Sequence, residues 1–164
     1  MGFPALVWYI LIAITRMYFL GHWARGGMPK KKVLLIEDDQ ALSRMISRFL
    51  ETVGFDVLMA FDGQDGLDKS FAEHPDVVLL DLGLPKMPGE EVCRRLRRDS
   101  RTAKIPIIME TAKAGDTDRI VGRVIGADAY LTKPYALEEL LDKVLQAAGS
   151  PAGLANPVLD PREE

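Results

Sequence analysis

The chain has 164 residues, of which 48% are hydrophobic, enough for one ordinary core and too few for two. Acids and bases are nearly balanced at a formal net charge of −3, so composition alone does not point to nucleic acid or a polyanion-binding surface. A lone cysteine, Cys93, excludes an internal disulfide and a cysteine zinc set, which fits a reducing compartment.

In chain order the first element is Phe3 to Trp23, almost wholly apolar, broken by Arg16 and edged by aromatics. That is about the 20 residues needed to span a bilayer. No basic residue precedes it and no clear small-x-small site closes it, so a cleaved secretory signal is a poor fit. Two readings stand for residues 1–27. As an anchor, the leader would keep the C-terminal part of the chain in the cytoplasm, because Arg25 and Lys30 to Lys32 lie after it. Otherwise Met28, opening "MPKKKVLLIEDD", is the true start and the leader is a misassigned one. Removing the leader's two cations leaves −5 on the rest, which is mildly acidic.

From Lys32 onward, short apolar runs alternate with helical patterns. Residues 33–37, 55–60, 77–81, 106–110 and 128–132 are rich in Val, Ile and Leu, as strands buried on both faces are. Residues 40–53 place Leu42, Met45, Ile46, Phe49, Leu50 and Val53 on one helical stripe, with Asp39 as N-cap and Gly54 as the stop. Weaker helices are predicted at 64–73, 89–98 and 117–125, and a clear one at 136–148. Five β-α units in a row predict an α/β fold: a mostly parallel sheet with right-handed crossovers and helices on both faces. Residues 149–164 read as a Pro/Gly-punctuated, flexible tail, with no room for an output domain.

In such a sheet, ligands bind beyond the carboxyl ends of the strands. Glu37 and Asp38 come directly after the first strand and Asp81 ends the third, so three acids share that rim. Carboxylates brought that close repel strongly unless a cation sits among them. Magnesium suits an all-oxygen set and commonly pairs carboxylates with phosphate oxygens. A carboxylate beside it can attack phosphorus and form an acyl phosphate. A hydroxyl and a fixed cation would complete such a site, and Thr111 and Lys133 stand at the ends of the two remaining inner strands.

Residues 28–148 resemble the receiver domain of two-component response regulators, and the short tail resembles a stand-alone, chemotaxis-regulator-like member. The resemblance rests on Glu37 and Asp38 in "LLIEDD", Asp81 in "LLDLGLPKMPG", Thr111 in "META", and Tyr130, Lys133 and Pro134 in "GADAYLTKPY". It implies a flavodoxin-like (βα)5 three-layer sandwich with strand order 2-1-3-4-5. It implies further that Asp81 accepts a phosphoryl group from a histidine kinase or histidine phosphotransfer protein. Asp38, Asp81 and the Gly83 carbonyl would ligate Mg2+, with Glu37 acting through water. Lys133 would pair with the carboxylate and then the phosphate. Thr111 would bind a phosphoryl oxygen on activation while Tyr130 turns inward, and the Lys133–Pro134 peptide would be cis. A downstream protein would read the face built by the 117–125 helix, the fifth strand and the 136–148 helix.

Some positions depart from the family's commonest residues. Gly83 and Lys113 occupy variable positions that tune phosphate lifetime, and Lys113 reads as solvated. Pro88 replaces a frequent Asp. Glu110 adds an acid beside Thr111, but strand alternation sends it to the opposite face from Thr111. Val121 and Val124 serve either the core or an apolar docking strip. The run "RRLRRDSR" at 94–101 is interleaved with acids and reads as solvated helix surface. Cys93 reads as a core thiol and His74 has no nucleophile partner.

The expected function is therefore a phosphoacceptor that switches partner binding, not a turnover enzyme on an external metabolite. An aspartate-nucleophile phosphatase fits less well, since Gly83 breaks its D-x-D pattern. "EDD" would repel the phosphate of a flavin. The remaining alternative is an adaptor that uses the receiver fold as a docking surface without phosphorylation. The domain is expected in the cytoplasm, with membrane contact only through residues 3–23 and no nucleic-acid partner.

Overall fold

The computed structural model describes residues 30–112 and 126–149. The apolar leader, Lys113, the predicted 117–125 helix with Val121 and Val124, and residues 150–164 lie outside the described residues. Five strands form one sheet: β1 Lys32–Ile36, β2 Asp56–Ala60, β3 Val77–Asp81, β4 Ile107–Thr111 and β5 Ala129–Thr132. All neighbours are parallel, in the order β2-β1-β3-β4-β5. The described helices are α1 Gln40–Thr52, α2 Gly63–Glu73, α3 Gly89–Arg98 and α4 Leu137–Ala147.

The uninterrupted apolar runs become central strands because each face of the sheet meets a helical layer. Val33, Leu35, Val77, Leu79, Ile108 and Leu131 pack with Ile46 and Leu50 of α1 and with Leu140 and Val144 of α4. The alternate residues, Leu34, Ile36, Val78, Leu80, Ile107 and Met109, pack with Leu67 of α2 and with Val92, Cys93 and Leu96 of α3. This is the flavodoxin-like three-layer sandwich. Each layer removes large aliphatic side chains from water, worth roughly 1.5–3 kcal/mol apiece.

Capping obeys local chemistry. Asp39 Oδ1 accepts from the Ala41 and Leu42 amides at 2.8 and 3.1 Å, which opens α1 directly after the acid pair. The Leu42 bond, then the Ala41 bond, hold the Asp39 carboxyl below its ordinary value. Asp62 caps α2 through the Asp65 amide. Gly54 stands at φ 102, the left-handed conformation that ends α1.

Met45 is the exception on the predicted stripe. The buried face of α1 is Ser43, Ile46, Ser47 and Leu50, and Met45, about 100° round the helix from Ile46, is 49% exposed. The arginine run of α3 is surface, as predicted, with one structural member. Arg94 and Arg95 pair with Glu91, and Arg101 pairs with Asp99. Arg97 instead ties α3 to the β5 approach by donating to the Gly126 and Ile105 carbonyls and to Asp128. Cys93 is buried, and burial pushes its thiol up to about 11, which suppresses the reactive thiolate. Among the described residues, no helix is long and apolar enough to cross a membrane.

Candidate functional site

Parallel strands all end on the same rim, so the sheet gathers residues that are far apart in sequence. Ile36 is level with Leu80, and Asp81 with Glu110, which lays Glu37, Asp81 and Glu110 side by side across three adjacent strands. Lys133, two residues beyond Leu131, reaches back over them. Alternation puts all four on the α1/α4 side of the sheet, while Thr111 and Tyr130 continue the α2/α3 side.

The Lys133 Nζ donates to Glu37 Oε2 at 2.6 Å and to Asp81 Oδ1 at 3.2 Å, and lies 3.7 Å from Glu110 Oε2. Burial alone would pull this ammonium down. The Glu37 hydrogen bond and the charges of Asp81, Glu110 and Glu37 outweigh burial, so Lys133 stays above its ordinary value. Glu37 is 2% exposed and Asp81 8%. Glu37 Oε1 also accepts from the Asp39 amide at 3.1 Å, which aims the carboxylate across the rim.

Asp38 is exposed, and single carboxylate oxygens of Glu37, Asp38 and Asp81 all lie within 4.8 Å of one another. Three hard oxygen donors at that spacing fit a small divalent cation. The Gly83 backbone is close by: a Cβ there would sit 3.2 Å from Asp81 Oδ2, so glycine leaves this side of the carboxylate open. Thr111, the last residue of β4, is 6% exposed. Tyr130 is half-buried against the α2/α3 layer. The Lys133–Pro134 peptide is cis.

Two residues enter the site that sequence reasoning did not place there. Glu110 does lie on the opposite face from Thr111, as alternation requires, but that face is the one carrying Asp81 and Lys133. Glu110 is fully buried, and its Oε1 accepts from the Tyr135 hydroxyl at 2.8 Å. Burial pushes the Glu110 carboxyl up to about 7, and the Tyr135 bond and Lys133 limit the rise. Burial, then the Glu110 charge, hold the Tyr135 phenol well above its ordinary range. The available signal was a carboxylate inside the apolar run "IIMET" and a tyrosine two residues past Lys133.

A carboxyl raised in the folded state binds more protons than in the unfolded chain, so its ionisation opposes folding. Full stability is present below about pH 4.5, falls through the window from 4.5 to about 7, and is then level with respect to this group. Glu110→Gln should therefore flatten the decline of the unfolding free energy between those pH values, by roughly 3 kcal/mol in urea melts in divalent-free buffer. A decline as steep in the variant as in the wild type would assign it to other groups.

The chain matches the response regulator receiver domain family over residues 33–145, well over half its length. It belongs to that family. The DNA-binding dual master transcriptional regulator RpaA of Synechocystis sp. is 49% identical over 117 residues, 71% of this chain and 48% of the relative. The chain thus spans about half the length of that relative. The chemotaxis protein CheY4 of Vibrio cholerae superposes with a TM-score of 0.70 at 30% identity, covering 73% of this chain and 99% of that one. The receiver domain of the sensor histidine kinase PA1611 of Pseudomonas aeruginosa, whose active-site cleft coordinates a magnesium ion, gives 0.69 at 29% identity over 74% and 100% of the two chains. This receiver domain therefore has the CheY-like fold of two-component signalling proteins.

Proposed function

We propose that this receiver domain accepts a phosphoryl group on Asp81 from a phosphohistidine of a histidine kinase or histidine phosphotransfer protein, and that the modified form binds a downstream partner. The observation that carries the reading is the buried Asp81 carboxylate, held at 3.2 Å by Lys133 and within 4.8 Å of the Glu37 and Asp38 oxygens. An Asp81 oxygen attacks phosphorus, the O–P bond forms as the donor N–P bond breaks, and the imidazole nitrogen leaves with the electron pair. Glu37, Asp38, Asp81 and the Gly83 carbonyl would hold Mg2+, which supplies neutralising charge for the phosphoryl oxygens. The PA1611 receiver, with magnesium in its cleft, supports that assignment by similarity.

Lys133 holds Asp81 beforehand and turns to a phosphoryl oxygen afterwards, so its charge is present where negative charge develops. Thr111 donates its hydroxyl to a phosphoryl oxygen, and Tyr130 moves inward after it to reshape the face toward β5 and α4. The domain assists its own phosphorylation without turning over an external metabolite. Residues 28–148 form the receiver unit in this reading, residues 1–27 are an apolar leader, either an anchor or a misassigned start, and the site works in the cytoplasm. Nucleic acid is not a proposed partner, since most α3 arginines are engaged in ion pairs or carbonyl contacts.

Intact-mass analysis of the full chain with Mg2+ and acetyl phosphate, beside Asp81→Asn, tests this directly. A phosphoryl adduct that requires Mg2+ and disappears in the variant is expected. Absence of an adduct in the folded wild type, repeated with a phosphorylated kinase as donor, would return the reading to the phosphorylation-independent adaptor.

A further inference from the structure

Glu110 is a carboxyl that phosphoacceptance as described does not use, in a place where an unused carboxyl is expensive. It lies within β4, fully buried, one strand over from Asp81 and level with it. Its two oxygens are treated unequally. Oε1 is clamped by the Tyr135 hydroxyl at 2.8 Å. Oε2 is buried without a hydrogen bond and lies 3.7 Å from the Lys133 Nζ. An oriented, under-satisfied carboxylate oxygen facing an ammonium is a standing attraction on it, strengthened by the low dielectric around the buried carboxylate.

Lys133 thus serves three acids, two by hydrogen bonds and the third by charge. Any anion arriving at Asp81 must draw the ammonium toward itself against Glu37 and Glu110. Tyr135 keeps Glu110 from swinging away, because it holds the other oxygen from the loop directly after the Lys133–Pro134 peptide.

We propose that Glu110, clamped by Tyr135, is a positioning residue that shares the Lys133 ammonium with Asp81 and so restrains its release to an incoming phosphoryl group, while adding negative charge that favours the metal. The inference rests on the phosphoacceptor reading above. Its signature is a pair of changes of opposite sign, because one buried negative charge attracts a cation and repels an anion. A role confined to packing would weaken both ligands together.

The test uses the full chain at about pH 8.5, where most of the Glu110 carboxyl is ionised. Mg2+ binding is measured by titration calorimetry, and beryllofluoride, a stable phosphoryl mimic, by fluorine NMR at saturating Mg2+. Glu110→Gln keeps the acceptor for Tyr135 and removes the charge. It should weaken Mg2+ about threefold and tighten beryllofluoride by about threefold or more. Glu110→Met, similar in volume, should shift both in the same directions. Unchanged or weaker beryllofluoride binding in the folded variants, with a wild type that binds it, would overturn the inference and leave the phosphoacceptor reading intact. A wild type that binds Mg2+ but neither beryllofluoride nor phosphoryl would overturn both.

Discussion

Lys133→Met is expected to slow Asp81 phosphorylation from acetyl phosphate by about a hundredfold while tightening Mg2+ by about tenfold. The first effect comes from charge. Lys133 is the cation whose Nζ lies 3.2 Å from Oδ1 of the proposed acceptor carboxylate, and removal of one pre-aimed donor to a developing anion costs about 3 kcal/mol of transition-state stabilisation. The second comes from the acids left behind. Glu37 at 2.6 Å and Glu110 at 3.7 Å lose their counter-ion together with Asp81, so a divalent cation takes over the neutralising charge that Lys133 supplied among the described residues. The melting temperature of the variant should therefore climb more steeply with Mg2+ than that of the wild type. Stopped-flow phosphorylation and calorimetric titration on the same samples give both numbers. If Mg2+ weakened along with the rate, Lys133 would be a packing residue of the rim and not its anion-binding charge.

Gly89→Ala is expected to be the most damaging single methyl group in the described structure. A Cβ at Gly89 would run into the Asp81 carbonyl oxygen, with the Leu82 Cα 2.9 Å away. Both obstacles are backbone, so no rotamer change relieves them. The turn between β3 and α3 is closed here by the Gly89 amide donating to the Leu82 carbonyl at 3.4 Å, and α3 begins at this residue because its backbone can back directly onto the end of β3. Forcing them apart should cost about 3 kcal/mol of unfolding free energy and displace the Asp81 carboxylate, lowering Mg2+ affinity in the protein that still folds. Gly83→Ala is the contrast. The atoms nearest its Cβ would be those of the Asp81 carboxylate, from 3.2 Å, a side-chain group that can give way, so stability should change by less than about 1 kcal/mol. Denaturant melts of the two variants side by side check the difference. Equal losses would show that the β3–α3 turn can relax.

These two variants separate what is built into the rim from what is carried on it. Gly89 acts on where the acids stand, and Lys133 acts on the charge they see. Glu110 belongs to the second kind, although its place in the middle of a strand made it look like the first.

The sequence by itself determined the sheet, its parallel sense and three of the acids on the rim, Glu37, Asp38 and Asp81. Continuous runs such as Val77 to Leu80 need helices on both faces, and that requirement leaves the strand ends as the one place where Asp81 and Glu37 can reach water. The Asp39 cap was legible for a similar reason: capping is settled within a few residues of chain. What only the tertiary structure decided is which side chains meet across strands. Alternation tells that Glu110 opposes Thr111, but it does not tell which layer holds Asp81, because that depends on the register of β3 against β4 and on the reach of Lys133 from β5. The exposure of Met45 and the anchoring of Arg97 were hidden for the same cause. Helical spacing gives an angle around an axis, whereas burial is set by what another element places against that angle.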